Sequence, residues 1–382
     1  MKVTVAIDSF KGSMSSIEAG NAIADGIRRV YPEALVNVRP LADGGEGTVD
    51  ALVAGMNGEL HHVTVTGPFG SPVSAAYGII PETQTAVMEM SQAAGITLAP
   101  RDRLNPLEAT TFGVGEMIAD AVKKGCRRFI MGIGGSATND GGAGMLQALG
   151  FSLLDKEGRP VSFGAKGLSG LNSISAEHVL PELAECSFQI ACDVTNPLCG
   201  EKGCSAIFGP QKGATPSMIL QMDAWLSEYA AIAAKSFPKA DASFPGTGAA
   251  GGLGFAFLTF FNARLESGIR IILNETKLEE YVKDADYVIT GEGRLDAQTS
   301  MGKAPDGVAQ LAKKYGRPVL AFSGCVTKDA VECNRHGIDA FFPILRGVVS
   351  LDEAMDTENA RANMADTVEQ VFRLIRLQRD AD

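Results

Sequence analysis

Glycines in this sequence recur beside carboxylate, amide and hydroxyl residues, a combination that tight turns alone do not require. The run Gly132-Ile133-Gly134-Gly135-Ser136-Ala137-Thr138-Asn139-Asp140-Gly141-Gly142-Ala143-Gly144 follows an apolar, strand-like stretch and precedes a helix-like Met145–Leu149. Backbone N–H groups without Cβ cover, placed at a helix N-terminus, suit phosphate oxygens. Gly134, Gly135, Ser136 and Asn139 are therefore candidate phosphate contacts. Gly246–Gly251 has the GxGxxG spelling, but Pro245 precedes it and no clear strand feeds it, so the dinucleotide fingerprint is incomplete. Close helix packing and phosphate binding both remain open for Gly251 and Gly252. Gly302-Lys303 lacks the following hydroxyl residue and the spaced glycine of a P-loop. A phosphate site here must be built another way.

Charged residues cluster beside the other glycine turns. Asp8-Ser9-Phe10-Lys11-Gly12-Ser13 closes the first apolar run, Asp43 opens Asp43-Gly44-Gly45-Glu46-Gly47, and Gly291-Glu292-Gly293-Arg294-Leu295-Asp296 carries both signs of charge. Asp193 and Asn196 add oxygen donors near Pro197. Phosphoryl transfer requires cations over the phosphates, Mg²⁺ on one or two carboxylates, and often a base near the accepting hydroxyl. Lys11 and Arg294 are the candidate cations and Asp43 a candidate substrate contact, Asp193 is the candidate base or metal ligand, and Asp296 is the second metal candidate. ATP and Mg²⁺ are the expected cofactors.

The elements that position these groups follow from periodicity. Val3, Val5 and Ile7 read as a strand ending at Asp8. Ser15 with Glu18 makes a capping box for a helix carrying Ile23, Ile27 and Val30. Leu35–Leu41 is a second strand-like run, so the opening reads βαβ. The rhythm returns at Tyr287–Thr290 before a Gly291–Arg294 loop, at Val319–Ser323, and at Phe341–Ile344, and Met364, Val368, Val371 and Ile375 follow at helical spacing. The two chain ends read as halves of one doubly wound α/β layer, residues 1–63 plus 286–382, around an inserted α/β domain, 64–285. Ligands are expected in the cleft between such domains. Met218, Met222, Trp225 and Tyr229 share a helix face, read as core packing.

Bulk properties narrow the partners. With 382 residues, a net charge of −11 and no long basic run, nucleic acid is an unfavourable ligand. Seven scattered cysteines suit reduced thiols, and the four histidines form no metal-binding pattern. Lys2 and Asp8 flank an opening too short for a signal peptide, and no stretch approaches the ~20 apolar residues of a membrane span. A cytoplasmic protein with a small-molecule substrate is expected, and a homodimer is the base-rate expectation.

Asp8–Ser13, Ala42–Thr48, Gly132–Gly144, Asp193–Leu198, Phe208–Ala214, Gly248–Gly254 and Gly291–Asp296 resemble, in order, the motifs of the bacterial type 1 glycerate kinases. The likeness spans Met1 to about Arg376. It implies a flavodoxin-like doubly wound parallel sheet from both chain ends, an inserted domain of restriction-enzyme-like topology, and phosphorylation of D-glycerate by ATP to 2-phosphoglycerate. A kinase making 3-phosphoglycerate or using another small hydroxy acid, and a nucleotide-binding regulator without turnover, are the alternatives. The sequence departs from the family where Arg commonly precedes an Asn/Asp-Pro pair. Leu104 stands there, with Arg103 one position earlier, so a substrate carboxylate would look to Arg294 or Lys11.

Overall fold

The computed structural model describes residues 1–45 and 47–379; Glu46 of the Asp43–Gly47 motif, and residues 380–382 of the expected first domain, lie outside the described residues. The chain forms two compact units. The first comprises Met1–Asp43, Asp50–Met56 and Ile269–Asp382, and the second Gly44–Val49 and Asn57–Gly268. The strands, in chain order, are β1 Lys2–Val5, β2 Leu35–Val38, β3 Glu59–Thr66, β4 Pro72–Ile80, β5 Thr85–Glu89, β6 Arg128–Gly132, β7 Ser152–Leu154, β8 Ser173–Ser175, β9 Ser187–Ala191, β10 Ala263–Glu266, β11 Tyr287–Leu295, β12 Val319–Val326 and β13 Ala340–Pro343.

In the first unit a parallel sheet runs in the order β13-β12-β11-β1-β2. The helix Ser16–Val30 begins on the expected capping box: Ser15 Oγ accepts the Glu18 N–H, and the Ser15 N–H donates to Glu18 Oε2 at 2.9 Å. Its Ile23 and Ile27 are buried with Val3, Val5 and Ile289 of the sheet and with Met364, Val368 and Phe372 of the helix Thr357–Arg379. A Cβ at Gly26 would lie 2.4 Å from the Ala365 carbonyl oxygen, so only glycine permits this approach between the two helices.

One expectation is corrected in this sheet. Gly291–Arg294 is not a loop; β11 continues to Leu295, with Gly291 opposite Phe322 and Arg294 opposite Cys325 of β12. Gly291 has φ +150°, and a Cβ there would lie 1.9 Å from the Phe322 carbonyl oxygen. A turn-forming composition is here a strand that must pass unusually close to its neighbour.

The second unit holds a six-stranded mixed sheet in the order β10-β9-β6-β5-β4-β3, parallel from β10 to β5 and antiparallel from β5 to β3, together with the two-stranded antiparallel pair β7-β8. Phe129, Phe188, Phe257 and Phe261 cluster against it, with the Phe129 and Phe188 rings 4.7 Å apart. Of the expected core face, the helix Pro216–Ala234 buries Met222 and Tyr229, together with Leu226, while Met218 and Trp225 are half-buried. Among the described residues no helix is long and apolar enough to cross a membrane.

Phe188 touches rings on both sides and is 1 % exposed. Phe188→Ala should lower stability by about 3–5 kcal/mol through the cavity it leaves, read as a fall in Tm by calorimetry.

Candidate functional site

Beyond the C-terminal ends of β1, β11 and β12 the first unit encloses a cavity of about 440 Å³. Ligands of open parallel sheets bind at this edge. Asp8 reaches it because the chain leaves β1 still bonded to the sheet: the Asp8 N–H donates to the Gly291 carbonyl at 2.9 Å. Glu292 and Arg294 come from the extension of β11, and Asp43 from the segment after β2. Lys11, Asp296 and Lys303 complete the polar lining, while Phe10, Ile344, Leu345, Leu351 and Met355 line it with apolar surface.

The carboxylates crowd one another. Burial, with Asp43 and Glu292 as like charges, pushes the Asp8 carboxyl up to about 7, against the opposing pull of the Ser9 N–H on its Oδ1 at 2.7 Å and of Lys11. Burial also raises the Glu292 carboxyl, although the Thr299 hydroxyl donates to its Oε1 at 2.6 Å and Lys303 Nζ stands 3.9 Å from its Oε2. Arg294 Nε lies 3.4 Å from Asp296 Oδ2, and Asp296 also caps the following turn by accepting the Gln298 N–H at 2.9 Å. Lys11 is exposed, and Arg294 largely so.

The second unit carries the long glycine loop. Gly134 and Gly135 are exposed just past β6, whereas Ser136 and Asn139 are buried. Lys212 lies beneath, 1 % exposed, its Nζ donating to Ser136 Oγ at 2.8 Å and to the Thr138 carbonyl at 2.6 Å. Burial lowers this ammonium to about 8, with Cys204 and Asp140 acting in the opposite direction. Asp140, fully buried, accepts the Thr111 N–H and hydroxyl and the Gly142 and Gly144 N–H groups. Burial raises its carboxyl all the same. Asn139 Nδ2 donates to Ser205 Oγ at 2.8 Å, and its Oδ1 is buried without a partner among the described residues.

The residues expected from sequence divide between these places. Lys11, Asp43, Arg294 and Asp296 meet in the cavity of the first unit. Gly134, Gly135, Ser136, Asn139, Gly251 and Gly252 meet in the second. There Gly251, at φ +67°, accepts the Gly141 N–H on its carbonyl, and a Cβ on it would lie 2.1 Å from the Thr138 carbonyl oxygen. The two glycine runs are thus packed backbone to backbone. Asp193 is exposed after β9 and accepts the Gly268 N–H at 3.2 Å.

Comparison with known proteins agrees with this layout along its length. The model of the Glycerate kinase family matches residues 3–376. A glycerate kinase of Haemophilus influenzae is 46 % identical over 98 % of this chain and 99 % of its own, and a glycerate 2-kinase of Escherichia coli K12 is 47 % identical over 93 % of each. The crystal structure of a protein from Salmonella typhimurium LT2, provisionally named glycerate kinase 2, superposes with a TM-score of 0.92 at 44 % identity, covering 100 % of this chain and 99 % of that one. The chain belongs to the glycerate kinase family.

As an enzyme of the glycerate kinase family, it shows which groups sequence reasoning passed over. Asp8, Glu292 and Lys303 stand beside the glycine turns of the sequence, yet nothing in their spacing ranks them above Lys11. The one available signal was Asp8 closing an otherwise apolar strand. Lys212 lies inside the Phe208–Ala214 motif, but nothing in its spacing separates it from the other lysines; its burial does. Among the described residues no group of three or more His, Cys, Asp or Glu side chains is arranged to hold a metal ion. A magnesium ion carried on phosphate oxygens needs only one or two carboxylates.

Asp8 binds its proton more tightly folded than unfolded, so its contribution to stability falls as pH rises from 3.8 toward about 7 and the penalty is complete above that. Asp8→Asn should accordingly raise Tm relative to wild type at pH 8 and do so much less at pH 4, as followed by circular dichroism melts.

Proposed function

We propose that this glycerate kinase family member transfers the γ-phosphoryl group of ATP to D-glycerate, giving ADP and 2-phosphoglycerate. The observation that carries the reading is the cavity at the strand ends, where Lys11, Arg294 and Lys303 stand beside Asp8, Asp43, Glu292 and Asp296. A three-carbon hydroxy acid needs a cation for its carboxylate and an oxygen acceptor for its hydroxyl, and the lining offers both within one enclosure. The names of the relatives, glycerate kinase and glycerate 2-kinase, support the same substrate.

In this reading Lys11 and Arg294 orient the glycerate carboxylate and Asp43 its hydroxyls. Gly134 and Gly135, with Ser136 and Asn139 behind them and Gly251 and Gly252 bracing them, present N–H groups to the nucleotide phosphates. Magnesium, held by the phosphates with Asp296 or Asp193, would offset charge on the transferring group. The first unit's sheet, counted within that unit, has the order 2-1-3-4-5, which supports the flavodoxin-like assignment. The restriction-enzyme-like topology of the second, a cytoplasmic location and a homodimer belong to the same proposal.

Turnover with D-glycerate, ATP and Mg²⁺, with product coupled directly to enolase, tests it. A signal without phosphoglycerate mutase is expected; dependence on the mutase would mean 3-phosphoglycerate, and no ADP release at all would leave a nucleotide-binding regulator. Lys11→Met should raise KM for glycerate by about 10–100-fold, the loss of one charge-assisted hydrogen bond. Lys212→Met should raise KM for ATP while leaving KM for glycerate near wild type, since it loosens the glycine loop alone.

A further inference from the structure

The cavity holds more carboxylates than substrate binding requires, and they are not equivalent. Asp296 is committed to Arg294 and to the Gln298 N–H. Glu292 is committed to the Thr299 hydroxyl and faces Lys303. Asp43, half-buried, supplies a like charge. Asp8 differs from all three. It is 5 % exposed yet lines the cavity, its backbone is pinned to Gly291, and only its Oδ1 takes a hydrogen bond, from the Ser9 N–H. Its Oδ2 has no protein partner among the described residues.

We propose that Asp8 is a catalytic residue: its Oδ2 accepts the proton of the substrate hydroxyl as that oxygen attacks the transferring phosphoryl group. The inference rests on the kinase reading of this same cavity. In the step, a lone pair of the hydroxyl oxygen forms the new O–P bond, and the P–O bond to ADP breaks with its electron pair staying on the ADP oxygen. The hydroxyl proton passes to Asp8 and is released to solvent after product leaves. The titratable and charged groups that share the cavity with Asp8 are Lys11 on its own segment, Asp43, Glu292, Arg294, Asp296 and Lys303 from β11 and the segment following it, and the Cys325 thiol from β12. Their balance matters because a base works best with a proton affinity near the working pH, and burial beside Asp43 and Glu292 brings Asp8 there.

The test starts with wild-type enzyme turning over ATP and D-glycerate; without that turnover the kinase reading itself fails, and this inference with it. Given turnover, Asp8→Asn should lower kcat by about 10²–10⁴-fold with KM for both substrates within a few fold, while melts and circular dichroism show a folded protein. The pH profile separates a proton acceptor from a merely structural residue. Wild-type kcat/KM should rise with pH and level off above about 7, and the residual activity of Asp8→Asn should lack that rise. Glu292→Gln, which removes a like charge, should move the rise to lower pH. Near-wild-type kcat in Asp8→Asn, an unaltered rise in its residual activity, or a rise that Glu292→Gln does not move would each overturn the assignment while leaving the kinase reading intact.

Discussion

Three carboxylates, Asp8, Asp43 and Glu292, are held together at one end of a parallel sheet although both lost hydration and mutual repulsion oppose it. Such an arrangement persists only where the surrounding scaffold leaves the groups no alternative. The scaffold here is the register of β1 and β11 with β12. Asp8 is held in place by its own N–H bonded to Gly291, and Gly291 by its pairing opposite Phe322 in the β11–β12 ladder, where only glycine fits against the Phe322 carbonyl. Glu292 is one residue further along the same strand. The helix Ser16–Val30, started by its capping box and seated on Ile23 and Ile27, secures the β1 end from the other side.

The second unit meets a related difficulty with the opposite charge. Lys212 is buried and binds the backbone and hydroxyl of the glycine loop, and Asp140 beneath it gathers four hydrogen-bond donors from Thr111, Gly142 and Gly144. Neither ion is near water, so each depends on the geometry of its partners for compensation. What that rigid underside holds in place is an upper surface of glycines, Gly134 and Gly135, that is open to solvent. The loop is therefore ordered from below and free above, the condition under which backbone N–H groups bind an anion without first being reorganised.

Legibility in the sequence followed the range of the interaction. The helix from Ser16 was readable because a capping box and a 3.6-residue apolar period are local signals, and β1 and β6 were readable from their apolar runs. The glycine run after β6 was readable as a candidate for the same reason. Gly291–Arg294 has the composition of a turn and the structure of a strand. Glycine marks a turn when the chain must reverse, and marks a strand when a neighbouring backbone comes too close for a side chain, and one sequence does not distinguish them. Lys11 and Arg294 were found as charges beside glycine turns, while Asp8 and Lys212 were passed over because what sets them apart is burial.

By itself the sequence determined the family, through ordered motifs spread along nearly the whole chain, and the residue types available for chemistry, because these are properties of identity and spacing. Only the tertiary structure decided which of those residues share an enclosure and which carboxylate there, Asp8, has an oxygen without a partner among the described residues. Burial, like-charge crowding and the loss of water depend on groups brought together from positions hundreds of residues apart, such as Asp8 and Glu292. No spacing along the chain encodes a distance across a sheet.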